Sequence, residues 1–307
     1  MSLPTEVRPR LGFETDTVRT DYSPLLIDQI RAADDASAAI AELKSQGILN
    51  PEDPHHLAVI ETDVYRLRRG LCLPSAASVA INVIKNERLI GDSEGEIKIG
   101  DYFRFLLPHH GRYPTPEQPN GWYVISPSGD MYHQSIVAIS EALDVQAFSC
   151  QGITSVSEFR PVLHDGGSVA VSLNNRFVIE QTLAPYPGSV IEMEDATLIK
   201  VATADGFEYR PFQNGRHVVT LLELNGRNAT FADSFNLPQT GTHGLTVTVP
   251  IEKVDQYLTY HDGAASRSIV FLPPDIRLPS DLNPTPIRIP EEVKTALDFD
   301  LRPHTHM

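Results

Sequence analysis

Apolar positions recur at helical spacing through the first half of the chain and alternate with polar ones through much of the second. Leu25, Leu26, Ile30 and Ala33 fit one helix, for which Ser23 supplies an N-cap and Pro24 a first-turn proline. Asp34 or Asp35 can cap a second helix through Ala36, Ala39, Ile40 and Leu43, with Gly47 as its left-handed stop. A turn cluster, Asn50-Pro51-Glu52-Asp53-Pro54, closes this helical lead-in. Leu57 to Ile60 is a short apolar run. From Pro74 to Ile84 a helix is predicted with Pro74 at its first position, and Ala76, Ala77, Val79, Ala80 and Val83 form an apolar face wide enough for the interior. Residues 107–129 read as a proline-rich surface loop anchored by Trp122 and Tyr123. His133 to Val145 returns to helical spacing, and Ser157 is expected to cap one or two further turns ending at Gly166-Gly167.

The period then changes to two. Ser168 to Leu173 alternates as a strand. Arg216 to Leu224, Asn225-Gly226 and Arg227 to Ala232 read as a hairpin, and Thr246 to Pro250 and Ser268 to Leu272 as further strands. Helices first and strands second predict an α+β fold with a mostly antiparallel sheet. The expected organisation is a helical extension over 1–54, a main domain over 55–272 and a Pro-rich tail over 273–307. In that tail, Glu291 to Leu297 forms a short helix before a disordered end.

Charge narrows the partners. With 25 Lys and Arg against 40 Asp and Glu the net charge is −15, which argues against a nucleic-acid surface. No apolar leader and no run of 18 apolar residues occurs, so the expectation is a cytoplasmic chain without membrane contact. Two cysteines, Cys72 and Cys150, cannot make a disulfide framework in a chain this size. His55-His56, His109-His110, Asp53, Asp101 and His133 lack metal-ligand spacing. Neither a phosphate loop nor a dinucleotide fingerprint is present, so no cofactor is expected. The oligomeric state is not readable.

Cys72 falls at the start of the predicted apolar helix, where unpaired N–H groups and the helix dipole favour a thiolate. Arg66, Arg68 and Arg69 add positive potential if they point inward. The alternative is a small buried hydrophobe. A nucleophilic cysteine needs a base oriented by a carboxylate or amide, and the hairpin offers His217 at its opening and Asp233 at its close. Register decides whether they meet. With Asn225-Gly226 as a strict two-residue turn, His217 faces Ser234 and Asp233 points to the other face. With a bulge at the turn, Leu224 faces Asn228 and Asp233 becomes a same-face diagonal neighbour of His217. Pairing them therefore demands a bulge or a twist at the strand ends. Cys150 is read as structural, lying between elements.

In their order, Gly70-Leu-Cys72-Leu-Pro74-Ser-Ala-Ala-Ser-Val-Ala, then His164-Asp-Gly-Gly-Ser-Val-Ala-Val-Ser, then Gly215-Arg-His217-Val-Val-Thr-Leu-Leu-Glu-Leu-Asn-Gly226 through Ala232-Asp233 resemble the papain-like cysteine peptidases. The likeness is to the bacterial bacteriocin-processing, double-glycine group, and covers about residues 57 to 235. It implies a papain-like fold over 55–272, with Cys72 as nucleophile, His217 as base and then acid, and Asp233 holding the imidazole. The activity implied is hydrolysis or acyl transfer on an amide, peptide or thioester, with a peptide or small-molecule acyl substrate. Two departures bear on activity. Cys-Gly-Pro of the family is Cys-Leu-Pro here. The family's upstream Gln, an oxyanion donor, has no counterpart between Gln46 and Cys72. Tyr65 or Arg66 are the candidate replacements, and Trp122 and Leu73 the candidate substrate contacts. The rival expectation is a papain-like binding or scaffold protein with little or no turnover.

Overall fold

The computed structural model describes residues 22 and 25–305 except 117, 194–195, 204–205, 213–214, 235–244 and 260–265. For Tyr65, 201–203, 206, 299–300 and 302–305 it describes the backbone alone. The predicted cap at Ser23-Pro24 lies outside the described residues.

One helix, α1 (Gln29–Ser45), replaces the two expected in the lead-in. Its cap is Asp28, whose carboxylate accepts the N–H groups of Ile30 and Arg31; Asp34 and Asp35 lie inside it, because Ala32, Ala33, Ala36 and Ala39 continue one buried stripe without a break. Three helices follow: α2 (Pro54–Ile60), capped by Asp53, α3 (Val64–Gly70), capped by Asp63, and α4 (Cys72–Lys85). The apolar run at Leu57 to Ile60 is thus helical. Helix α4 begins two residues earlier than expected, so Cys72, not Pro74, is its first residue. Pro74 is tolerated at the third position because the first-turn N–H groups have no partner inside a helix. Next come α5 (Ile99–Leu106) and α6 (His133–Ala142).

The main sheet has seven strands in the order β10-β1-β9-β2-β6-β7-β8. They are β1 (Gln146–Ile153), β2 (Ser168–Asn174), β6 (Arg216–Asn225), β7 (Asn228–Asp233), β8 (Leu245–Pro250), β9 (Ser266–Leu272) and β10 (Pro284–Thr285). Every pairing in it is antiparallel, so the α+β expectation matches the architecture. Strand β1 was not expected. Its Ala147 and Ser149 on one face give no strong alternation, and Cys150 therefore sits in a strand, not between elements. Ser155, not Ser157, caps the short turn before α7 (Arg160–His164), in a capping box with Glu158. A second, three-stranded sheet of β3 (Val190–Glu192), β4 (Thr197–Thr203) and β5 (Gly206–Pro211) was also not anticipated.

Both faces of the main sheet are covered. Ala170, Val218, Leu222, Ala232, Ile269 and Phe271 pack against α1, α4, α5 and α6. Val169, Val171, Val219, Leu221 and Phe231 pack on the opposite side against Phe159, Phe177 and Tyr257. A single turn, α8 (Ile251–Val254), follows β8, and near the C-terminus α9 (Glu291–Thr305) packs on α5 and α6, with Val293, Leu297 and Leu301 each at most 1% exposed. Residues of α1, α4 and α9 share the helical core.

At its turn the β6–β7 hairpin departs from both registers considered, whereas from Leu221 toward His217 it follows the bulged one. Its two loop residues are Gly226 and Arg227, with Asn225 opposite Asn228 and Leu224 opposite Ala229. Gly226 takes φ +57°, as the first central position of a tight hairpin turn requires. The register then shifts by one between Leu221 and Glu223, leaving Thr220 opposite Ala232. A bulge is present, but within the strand instead of at the turn.

Candidate active site

Carried on from Thr220 and Ala232, the bulged register sets Asp233 opposite Val219, two residues along β6 from His217. Both side chains leave the sheet on the same face, and His217 Nε2 lies 2.8 Å from Asp233 Oδ1. Asp233 is fully buried and His217 5% exposed. The second carboxylate oxygen accepts the Thr182 hydroxyl at 2.7 Å. Thr182 comes from a π-helical turn, Val178–Leu183, a wound-out geometry frequent at functional sites.

Helix α4 lies across β6 and β2. Thr220 Oγ1 donates to the Ala76 carbonyl at 2.7 Å, with Thr220 and Ala76 both buried. Ala76 is one helical turn beyond Cys72, and Thr220 three strand residues beyond His217. This bond therefore fixes the approach of the helix start to the strand start. The Cys72 sulfur is near enough to the His217 imidazole to act on its charge, and because Nε2 is held by Asp233, Nδ1 is the nitrogen left on the sulfur's side. Burial opposes charge on the imidazole. The Asp233 carboxylate and then the Cys72 sulfur outweigh it and push the His217 pKa up to about 10.

The approach to Cys72 is fixed from two further directions. A Cβ on Gly70 would stand 2.3 Å from the Gly129 carbonyl oxygen, so the α3–α4 junction and the 107–129 loop meet backbone to backbone. Gln29, at the start of α1, accepts the Ser234 hydroxyl at 2.8 Å and donates to the Arg68 carbonyl at 2.8 Å. That link ties the residue after Asp233 to the helix before Cys72.

The remaining sequence candidates fall elsewhere. Arg66 is exposed, and its Nη1 donates to the Pro127 carbonyl at 3.4 Å; Arg68 pairs with Asp34 at 2.9 Å. These guanidiniums do not turn toward the sulfur. The Tyr65 side chain lies outside the described residues. Leu73 is 7% exposed and packs in the helical core. Trp122 is 1% exposed, which makes it an anchor of the 107–129 loop and withdraws it from any open cleft wall. That loop carries buried Leu107, Val124 and Ile125 and is stitched by bridges at Arg112–Trp122 and Ile125–Met131, so it is packed structure. Cys150 is fully buried, and burial pushes its thiol up to about 11, as suits a structural residue. His56 and His110 each accept a backbone N–H, from Asn50 and Val124. No helix among the described residues is long and apolar enough to cross a membrane. Thr182 and Gln29 escaped sequence reasoning because each reaches the site through a turn or helix start remote from the hairpin in sequence.

No model of a known protein family matches the chain, and no curated protein matches it. It is similar to a solved structure assigned as a C39-like peptidase from Bacillus anthracis, at 15% identity over 82% of this chain and 95% of that one, with a TM-score of 0.29.

Proposed function

We propose that the protein is a papain-like cysteine hydrolase or acyltransferase acting on an amide, peptide or thioester through Cys72, His217 and Asp233. The observation that carries this reading is the position of His217, bonded to a buried carboxylate through Nε2 and acted on by a cysteine at a helix N-terminus. In this reading the nucleophile is the thiolate of a Cys72–His217 pair at a helix start. The thiolate adds to the carbonyl carbon, forming a C–S bond and an oxyanion. His217 Nδ1 then gives its proton to the leaving amine or thiolate as the scissile bond breaks. Water or a second nucleophile, deprotonated by the now neutral His217, attacks the acyl-enzyme and releases the thiolate. Asp233 keeps the imidazole in the tautomer that presents Nδ1.

The oxyanion is assigned to backbone N–H groups at the start of α4, because Arg66 is directed to Pro127. Loss of one side-chain donor lowers rates by about a hundred- to a thousandfold. That observation favours, as the second reading, a protein that keeps the frame with little turnover.

Iodoacetamide labelling across pH tests the first reading, with the Cys72→Ala variant to isolate the site. The expected result is rapid modification of Cys72 well below pH 8, slowed by His217→Ala. Labelling of Cys72 only with an apparent pKa near 8.5, indifferent to His217, favours the inert reading.

A further inference from the structure

The π-helical turn Val178–Leu183 stands over open space on one side: Glu180, Gln181 and Thr182 border a cavity of about 300 Å³ that Leu245 to Thr248 of the edge strand β8 also line. The turn is wound out, with the Ala184 N–H reaching back five residues to the Ile179 carbonyl at 3.0 Å. Six residues in that geometry do not support themselves, since most helical stability comes from what packs on the helix. The support comes from Tyr257. It ends a short turn (Asp255–Tyr257) behind α8, and that turn is itself fastened where Asp255 accepts the Val156 N–H at 2.9 Å. The Tyr257 hydroxyl donates to Glu180 Oε2 at 2.6 Å and accepts Gln181 Nε2 at 3.0 Å, pinning the two residues just before Thr182. Its ring meets the Phe177 ring edge-on at 5.7 Å, and Phe177 in turn meets Phe231 of β7, two residues before Asp233, at 5.6 Å. Tyr257 is 5% exposed, so its bonds are shielded from competing water. Arg176, which takes the other Glu180 oxygen, makes a surface pair of lesser weight. Burial, and then the Glu180 carboxylate, push the Tyr257 hydroxyl up to about 12, so it stays a donor at neutral pH.

We infer that Tyr257 is a positioning residue of the candidate site: its hydroxyl holds Glu180 and Gln181 so that the Thr182 hydroxyl meets Asp233 Oδ2, at 2.7 Å. This rests on Cys72 acting as nucleophile with His217 as its base. With the turn slack, the carboxylate is free to rotate about its last torsion, and the 2.8 Å bond from its other oxygen to His217 Nε2 loses its aim. Tyr257 makes its hydrogen bonds to the turn and not to Asp233 or His217. Its effect therefore passes through Thr182, which a double-mutant cycle separates from a general loss of stability.

The test is the rate of Cys72 alkylation by iodoacetamide at about pH 6, corrected with Cys72→Ala, in Tyr257→Phe, Thr182→Val and the double variant. Tyr257→Phe keeps the ring packing and removes only the hydroxyl. It is expected to slow alkylation about five- to tenfold, the worth of one hydrogen bond, and to add nothing in the Thr182→Val background. Gln181→Met, at a half-buried position, removes the second contact and should slow alkylation in the same direction. It carries the test if urea curves show the Phe variant unfolded. In proton NMR the low-field His217 Nε2–H signal, from the proton shared with Asp233, should move upfield in Tyr257→Phe, a change that lost stability alone does not produce. Wild-type rates in Tyr257→Phe and Gln181→Met, with alkylation still slowed by His217→Ala, overturn the positioning role and leave the nucleophile in place. A Tyr257→Phe effect as large with Thr182→Val as without it overturns the route through Thr182. Alkylation indifferent to His217→Ala overturns the nucleophile and the positioning role together.

Discussion

Thr182 donates its hydroxyl to the Asp233 oxygen that His217 leaves unused, 2.7 Å on one side of the carboxylate against 2.8 Å on the other. Both oxygens of a fully buried charge are thereby satisfied, a condition for keeping it ionised away from water. Thr182→Val removes a hydrogen bond to a charged group and is expected to lower stability by about 1.5–3 kcal/mol. Thr182→Ser should restore most of it. Urea denaturation of the three proteins checks this, and a Val variant as stable as wild type would sever the link between the π-helical turn and the Asp233 carboxylate.

Alkaline pH probes the pair at His217. Its folded pKa, about 10, lies above the ordinary 6.5, so its contribution to stability is complete below about pH 6.5 and is lost as pH rises through 10. The denaturation midpoint of the wild type should fall between pH 7 and 10. Asp233→Asn, which removes the raising carboxylate, should show a much smaller fall over that window. Identical profiles would contradict the raised pKa.

On the acid side the signs reverse. Burial holds His133 and His110 near a pKa of about 4. Both are kept neutral in the fold, and an unfolded chain takes up those protons from about pH 6.5 downward. Stability should therefore drop as pH falls from 6.5 to 4. His110→Asn, whose side-chain oxygen can accept the Val124 N–H in place of Nδ1, should flatten part of that drop when midpoints are measured at both ends.

At the α3–α4 junction the expected cost is steric. Gly70→Ala drives a methyl into the Gly129 carbonyl, 2.3 Å away and part of the backbone, and should destabilise by about 1–3 kcal/mol while slowing Cys72 alkylation. Gly47, at φ +72° with nothing within 4 Å of an added Cβ, is the comparison. There Ala meets only conformational strain of about 1 kcal/mol, and Cys72 reactivity should not change. Equal effects at both sites would mean the close approach does not position the sulfur.

What was legible in the sequence was what local chemistry dictates. Apolar periodicity marked α4 and β2, and the Asn-Gly pair marked the hairpin to within one residue. The need for a bulge followed from counting register, but the bulge sits near Leu222 because strand packing, not turn chemistry, chose its place. The start of α4 was misplaced because proline preference at the first position gave way to a helix following directly on α3. Strand β1 stayed hidden because small and polar residues occupy its helix-facing side. The reach of α9 was underestimated since its three buried residues, Val293, Leu297 and Leu301, gain meaning only once α5 and α6 offer a surface. Likewise Gln29 and Thr182 act through folded proximity, which no spacing along the chain records.

The single helical core, with α1 and α9 packed into it from opposite ends of the chain, sets an order of events during synthesis. Cys72 leaves the ribosome 145 residues ahead of His217, which at about 5–20 residues per second is an interval of roughly 7–30 s. Through that interval the Cys72 side chain has neither the His217 imidazole nor the strand that carries it. The cluster of Cys72, His217 and Asp233 can form only after Asp233 has emerged, and the helical core can close only after Leu301 has. Cys72 therefore meets the buried His217–Asp233 pair only after the hairpin has been made.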